Sequence, residues 1–275
     1  MFLIVGANGQ LGSELRESLG GNAEYLNRAE LDITDASAVR DFFSKREFDA
    51  VVNCAAYTAV DKAESEPALA EKINVAGARN LACSVRAPLV HVSTDYVFSG
   101  TAYRPYSEED VPTPASVYGR TKLAGERAVL ENAETAVVIR TAWLYSAYGN
   151  NFVKTIRRLG TERTQLGVVF DQVGSPTYAA DLADAIARIL PQLRAGMREV
   201  FHFTNEGVCS WFDFARAIME LSGLSCEVVS IESKDYPTAA ARPFYSVLNK
   251  KKIKQTFGLT IPHWRDALMR CIAKL

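Results

Sequence analysis

The sequence predicts an α/β fold in which a doubly wound parallel sheet is followed by a smaller C-terminal α+β lobe. Three observations carry that prediction. A short apolar run, Phe2-Leu3-Ile4-Val5, breaks into a glycine-rich turn and then an amphipathic helix. Strand-like and helix-like segments keep alternating to about residue 145, the order that builds a parallel sheet covered on both faces. Beyond Trp143 the alternation loosens into mixed short strands and helices. At 275 residues the chain can hold one large unit, or a principal domain with a smaller lobe. Its 48% apolar and 23% charged residues suffice to fill and cover a core. A formal net charge of -1 gives no electrostatic ground for nucleic acid or an anionic membrane as main partner. Cys54, Cys83, Cys209, Cys226 and Cys271 lie scattered without C-x-x-C spacing. Such an odd, dispersed set is expected of reduced thiols in the cytoplasm, not of a disulfide framework or a zinc site. The opening apolar run stops at Gly6, too early for a signal peptide or a membrane span.

In chain order, the strand Phe2 to Val5 leads into Gly6-Ala7-Asn8-Gly9-Gln10-Leu11-Gly12, then a helix with Leu11, Leu15 and Leu19 on one face. Gly6 permits a tight turn, Gly9 lets a pyrophosphate reach the backbone, and Gly12 lets the helix pack close to the strand. The helix N-terminus then faces the phosphates. The spacing G-x-x-G-x-x-G is one residue longer in its first half than the commoner G-x-G-x-x-G. A ligand-free glycine turn is the bland alternative, but three glycines in register serve no evident packing need. The principal domain is therefore expected to be of the Rossmann type and to bind a dinucleotide. The second strand is weakly marked within Ala23 to Leu26, and Asn27-Arg28-Ala29-Glu30-Leu31-Asp32-Ile33 follows it. There Arg28 leans toward the 2′-phosphate of NADP, while Glu30 would oppose a phosphate.

A helix (Ala36 to Arg46), a strand (Ala50 to Asn53), a long helix (about Pro67 to Arg86) and a strand (Leu89 to Ser93) come next. The fourth strand runs into Ser93-Thr94-Asp95, which puts Thr94 where the reactive end of a cofactor is expected, beyond the carboxyl end of the sheet. Gly100 to Pro114, rich in Tyr, Pro, Ser and acidic residues, reads as an exposed loop. Ser116 can cap the helix carrying Tyr118 and Lys122, and Val137 to Ile139 is a fifth strand. Asn150-Asn151-Phe152 opens another helix, Val168 to Gln172 precedes a glycine-serine-proline turn, and Ala179 to Leu190 is an amphipathic helix. Strands at Val200 to Thr204 and Glu227 to Ile231 mix with helices at Ser210 to Leu221 and His263 to Lys274. The expected division is a dinucleotide-binding domain over 1–145, with about 178–205 returning to it, and a substrate lobe over 146–275.

Tyr118 and Lys122 lie one helical turn apart on one face. A free tyrosine titrates near a pKa of about 10, and a fixed cation nearby favours its phenolate. A lowering of roughly 3 units, about 4 kcal/mol, would let the phenol shuttle a proton at neutral pH. Tyr-x-x-x-Lys also arises by accident in long helices; the glycine turn at the start of the chain supplies the independent support.

Taken together, Gly6-x-x-Gly9-x-x-Gly12, Thr94 and Tyr118-x-x-x-Lys122 resemble the extended short-chain dehydrogenase/reductase family in order and approximate spacing. Longer strings resemble one branch of it, the dTDP-4-dehydrorhamnose reductases: Asn53-Cys54-Ala55-Ala56-Tyr57-Thr58-Ala59-Val60-Asp61-Lys62-Ala63-Glu64, Ile73-Asn74-Val75, Ser93-Thr94-Asp95-Tyr96-Val97-Phe98, Arg140-Thr141-Ala142-Trp143, Asp171-Gln172-x-Gly174-Ser175-Pro176-Thr177 and Ala241-Arg242-Pro243. The resemblance spans the chain and implies reduction of a nucleotide-sugar C4 ketone by NADPH, with NADH also accepted. It makes Tyr118 the proton donor, helped by Thr94, and makes Lys122 the holder of the nicotinamide ribose. It puts Gly6, Asn8, Gly9, Gln10, Leu11, Gly12, Arg28, Asp32, Ile33, Ala55, Ala56 and Tyr57 on the cofactor with Tyr118 and Lys122. On the substrate it puts Thr94, Asp95, Tyr96, Val97, Trp143, Asn151, Gln172 and Arg242, the arginine suiting a diphosphate by its fixed fork of donors. Trp143 as core and Arg242 as a structural ion pair are the alternatives. Some family members form a magnesium-linked homodimer; Glu14 and Glu17 are candidate ligands here and equally ordinary helix-face charges. Cys54 departs from the alanine common in relatives.

Two other functions stay in view. A related epimerase or 4,6-dehydratase would share the fold, but the family's dehydratases carry a glutamate directly after the aspartate, where this chain has Tyr96. A non-catalytic subunit of the same fold would be expected to lose the tyrosine or the lysine, and both are present.

Overall fold

A computed structural model describes residues 1–275. In chain order the first half runs β1 (Phe2–Val5), α1 (Gln10–Leu19), β2 (Ala23–Leu26), α2 (Ala36–Ser44), β3 (Val51–Asn53), α3 (Val60–Ser65), α4 (Pro67–Glu71), α5 (Ala78–Ser84), β4 (Leu89–Thr94), α6 (Val117–Asn132) and β5 (Ala136–Thr141). The second half runs β6 (Leu144–Tyr145), α7 (Phe152–Glu162), β7 (Gln165–Val169), β8 (Val173–Gly174), β9 (Thr177–Tyr178), α8 (Ala179–Ile189), β10 (Arg198–His202), β11 (Cys209–Ser210), α9 (Trp211–Leu221), β12 (Glu227–Ile231), α10 (Lys251–Phe257) and α11 (Trp264–Ile272).

Six strands form one parallel sheet in the order β2-β1-β3-β4-β5-β10, the Rossmann-type doubly wound arrangement. Every residue of β3 and β5 is buried, as strands covered on both faces must be. One face is covered by Leu11, Leu15 and Leu19 of α1, Leu182 and Ile186 of α8, and Ile253 and Phe257 of α10. The other is covered by Val39 of α2, Leu81 of α5 and Val129 of α6. Val5 pairs with both Leu26 and Asn53, so the ends of β1, β2 and β3 lie level. Strand order reverses between β1 and β3, and in open α/β sheets that switch point is where the ligand crevice opens.

The later elements pack around a core of their own, with Val153, Phe214, Ile218, Trp264 and Leu268. Parallel β7 and β12, antiparallel β8 and β11, and parallel β6 and β9 frame it. Ser210 caps α9 in a reciprocal box with Asp213, and Asn151 caps α7 by accepting the Lys154 N–H at 3.1 Å. No helix is long and apolar enough to cross a membrane.

Two expectations need correcting, and two helices were not foreseen. The helix over Pro67 to Arg86 stops at Ser84 and is not uniform: α4 and α5 are joined by a π-helical turn, Lys72–Gly77. A widened turn lets a side chain swing off the regular spiral, and Asn74 uses it to reach Tyr57, accepting its N–H at 2.8 Å and donating to its carbonyl at 3.2 Å. The stretch Gly100 to Pro114 is irregular but not simply exposed, since Tyr106 is buried and stacks on Phe98 at 4.2 Å. Its phenolic oxygen accepts N–H groups from Gly100, Thr101 and Ala102, which turns the loop inward. Finally α3 and α10 lack a marked apolar period in the sequence, yet both form; α10 is held by the sheet core and not by its own pattern.

Candidate active site

The carboxyl ends of β1 and β3 supply the first part of the site. Gly6 has φ +78°, and a Cβ there would come within 2.5 Å of the Ala55 nitrogen. At Gly12 a Cβ would meet the Ala7 Cα at 2.5 Å, so helix and turn touch backbone to backbone. Gly9 differs, because a Cβ there would meet only the Gly6 carbonyl at 3.4 Å. The space beside Gly9 is open, it is the N-cap of α1, and no side chain caps that helix. The first N–H groups of α1 therefore point outward with no intrahelical partner, the arrangement that attracts phosphate. A cavity of about 280 Å³ begins here, bounded by Gly6, Asn8, Gly9, Arg28, Asp32, Ile33, Ala55 and Ala56. The Thr34 N–H, donated at 2.9 Å, holds the Asp32 carboxyl below its ordinary range, helped by Arg28 at 3.3 Å.

A second cavity of about 450 Å³ continues the first, sharing Gly9, Cys54 and Ala56 with it. It brings together Gln10, Leu11, Gly12, Thr94, Asp95, Tyr96, Tyr118, Lys122, Trp143 and Asn151. Ser116 makes this possible by capping α6, its hydroxyl accepting the Gly119 N–H at 3.1 Å. The cap fixes where the helix starts, and so sets Tyr118 and Lys122 against the end of β4. Asn151 donates to Gln10 at 3.0 Å, closing the wall across the two halves of the chain. A third cavity of about 770 Å³ shares Tyr96 and Trp143 with the second and holds Gln172 and Arg242. Gln172 donates to the Ser233 hydroxyl at 2.9 Å. Arg242 donates to Asp61 at 2.5 Å and to the Ala240 carbonyl at 3.4 Å, so an ion pair bridges the mouth of the cleft.

Two expected residues lie elsewhere. Val97 is fully buried beside Phe98, Leu123 and Leu248, because the short 3-10 turn Asp95–Val97 turns it inward as Asp95 and Tyr96 face the cavity. The Tyr57 ring lines none of the three cavities; its hydroxyl donates to Glu66 at 2.5 Å. The expected lowering of the tyrosine by its lysine is also not met. Burial pushes the Tyr118 phenol up to about 12, only partly countered by the Thr94 hydroxyl. Lys122 donates to the Val92 carbonyl at 2.7 Å, and burial brings its ammonium down to about 8, against the raising effect of Glu126. Burial likewise lifts Asp95 to about 7; one of its oxygens accepts the Thr94 hydroxyl at 2.9 Å and the other has no protein partner.

Several contributors escaped the sequence reading. Glu126 sits one turn beyond Lys122 and is buried with Arg140, which donates to both its oxygens at 2.9 and 2.7 Å, while the Ser93 hydroxyl adds a third bond. The spacing Tyr118-x-x-x-Lys122-x-x-x-Glu126 was a signal for it. Asn74 joins the Tyr57 backbone to Thr121 at 3.1 Å, between the tyrosine and the lysine. Asp61, the partner of Arg242, had no signal beyond its place in a family string. Of the two carboxylates weighed above as metal ligands, Glu14 is buried and accepts from Ser146 at 2.6 Å, and Glu17 accepts from Tyr148 at 3.1 Å. No three His, Cys, Asp or Glu side chains converge as a metal set.

Comparison with known proteins places this geometry in context. Residues 1–275 match the family model described as RmlD substrate binding domain. The dTDP-4-dehydrorhamnose reductase of Streptomyces griseus is 44% identical, the match covering 97% of this chain and 91% of that protein. The crystal structure of a dTDP-4-dehydrorhamnose reductase from Clostridium acetobutylicum superposes with a TM-score of 0.94 at 43% identity, covering 99% of this chain and 98% of that one. The dTDP-4-dehydrorhamnose reductase of Bacillus anthracis in complex with NADP does so at 0.95 and 40%, covering 100% and 99%.

Proposed function

The chain belongs to the RmlD substrate-binding-domain family, and from that premise we propose that it is a dTDP-4-dehydrorhamnose reductase. It reduces the C4 ketone of dTDP-4-dehydro-L-rhamnose to the alcohol of dTDP-L-rhamnose, with NADPH as electron donor. The observation that carries this reading is continuity. The open glycine turn, the pocket of Thr94, Tyr118 and Lys122, and the cleft of Gln172 and Arg242 form one trough sharing walls, with room for a dinucleotide at one end and a nucleotide sugar at the other.

The residues fit a nicotinamide dinucleotide: the space at Gly9 and the uncapped start of α1 receive a diphosphate, Ala55 lines the first cavity, and Ala56 lines both where they meet. Exposed at the end of β2, Arg28 offers its guanidinium to a 2′-phosphate. Because the Arg28–Asp32 pair is exposed and long, it holds the arginine weakly and leaves it free for that phosphate, while the Asp32 carboxylate suits the free ribose hydroxyls of NADH as a second donor. Bound cofactor supplies the hydride for C4. Tyr118, protonated at neutral pH, donates its hydroxyl proton to the oxygen that gains charge, and the Thr94 hydroxyl steadies that oxygen. The phenolate left behind is stabilised by the Lys122 ammonium one turn along α6. Arg242 and Gln172 hold the substrate's nucleotide diphosphate, Asn151 and Trp143 border the sugar, and the segment from 146 onward acts as the substrate lobe. Work in the cytoplasm belongs to the same reading. A magnesium-linked homodimer belongs to the same reading; with no set of three ligating side chains in one chain, the ion would rest on one or two carboxylates from each and on water.

The test is NADPH consumption by purified protein with dTDP-4-dehydro-L-rhamnose, set against the corresponding UDP and GDP 4-keto sugars. Oxidation is expected with the dTDP sugar first; none with any of them leaves only the fold standing.

A further inference from the structure

Trp143 is the one non-glycine residue with a positive φ, +49°. That region is disfavoured for a bulky side chain, so the surroundings must hold it there. Two contacts do. The indole stacks on Trp211 with ring centroids 3.6 Å apart and planes 10° from parallel. It also rests on Gly174, where a Cβ would come within 2.7 Å of its Cε2 and 2.8 Å of its Cζ2. Both supports ride on one piece of the fold. Gly174 pairs with Cys209 across β8 and β11, and Trp211 follows β11 directly as the first residue of α9. Trp211 is braced in turn by Phe152 at 4.5 Å. The indole so held borders both the Tyr118 pocket and the large cleft; Trp211 also lines the large cleft, whereas Gly174 lines neither cavity and reaches them only through the indole.

We propose that Trp211 and Gly174 are positioning residues: stack and cradle lock the Trp143 indole as a fixed wall between proton donor and nucleotide cleft, and thereby set how the substrate's sugar lies against Tyr118. The inference rests on the reductase reading and deepens it. A wall that is already rigid avoids ordering an aromatic ring when substrate arrives. Without Trp211 the indole keeps only its edge contact with Gly174, and it relaxes out of the wall. Gly174→Ala reaches the same end by placing a methyl against the indole and against the Ser246 hydroxyl, which a Cβ would meet at 2.6 Å.

The experiment compares wild type with Trp211→Leu, Trp211→Phe and Gly174→Ala. Circular dichroism reads the exciton couplet of two stacked indoles, steady-state kinetics read KM and kcat for dTDP-4-dehydro-L-rhamnose, and titration reads NADPH affinity. Trp211→Leu should lose the couplet and raise KM by about tenfold or more, with NADPH affinity changed by less than about twofold. Trp211→Phe should recover most of the KM because a ring still stacks, and Gly174→Ala, which keeps both indoles, should weaken the couplet and raise KM in step. A wild type without the couplet, or folded variants with wild-type KM, overturns the proposal. Should Trp211→Leu fail to fold, Gly174→Ala decides it alone. A wild type that shows the couplet but oxidises no NADPH sinks the reductase reading instead; the affinity of each variant for dTDP-4-dehydro-L-rhamnose, read by titration, then takes the place of KM, and an unchanged value overturns the wall.

Discussion

Tyr118 keeps its proton at neutral pH because burial outweighs the Thr94 hydrogen bond, and a protonated phenol is the form that ketone reduction consumes. Tyr118→Phe should therefore lower kcat by about 10²–10⁴-fold and leave NADPH affinity nearly unchanged. Full turnover in that variant would remove Tyr118 from the chemistry. Lys122 makes a second prediction, in stability. Its folded pKa of about 8 lies below the unfolded value, so at neutral pH the folded state bears the cost of a buried ammonium. As pH rises through about 8 the folded protein releases that proton first, and stability is regained up to the unfolded pKa near 10.5. Lys122→Met should be inactive yet more stable than wild type by about 1–3 kcal/mol at pH 7, the gap closing as pH climbs toward 10. Thermal melts across that range check it, and a gap independent of pH contradicts it.

At the level of elements, the glycine turn separates packing from binding. Gly12→Ala drives a methyl into the Ala7 backbone and should cost about 2 kcal/mol or more, seen as a lower midpoint in urea. Gly9→Ala meets open space and should fold normally, yet weaken NADPH binding by about tenfold, because the methyl occupies the approach of a diphosphate. If calorimetry found cofactor affinity intact in Gly9→Ala, the phosphate would have to lie elsewhere. Across the cleft, Asp61 and Ala240 fix part of the Arg242 guanidinium and leave its remaining donors for substrate. Half-exposed pairs add little to stability. Asp61→Ala should accordingly leave the melting temperature within about 2 °C while raising KM by about three- to tenfold. An unchanged KM would make the pair merely structural.

On the scale of the molecule, what the sequence disclosed was what local chemistry decides. Phe2–Val5 with its glycine turn, the Ser116 and Asn151 caps, and Tyr118 with Lys122 each depend on neighbours within a few residues, and each was readable. What stayed hidden depends on distant partners. The π turn at Asn74 answers to Tyr57, the inward loop to the Tyr106 phenol, and α10 to a sheet completed by β10. Whether the phenol rises or falls was settled by burial, which spacing along a helix does not reveal. The same long-range dependence gives a prediction. A fragment ending at residue 145 lacks α8, β10 and α10, which cover one face and one edge of the sheet. It should aggregate or stay expanded in size-exclusion chromatography and circular dichroism; a soluble fragment with native-like melting would refute that coupling.

The central claim is that one trough delivers hydride and proton to the two ends of a single C4 carbonyl. Single turnover with NADPH dideuterated at the nicotinamide C4, followed by NMR of the sugar nucleotide, tests it most directly. Deuterium on C4 of dTDP-L-rhamnose from wild type, with labelling slowed by about 10²–10⁴-fold in Tyr118→Phe that still binds the cofactor, is the predicted result. Label at another carbon, or equal labelling by Tyr118→Phe, would contradict it.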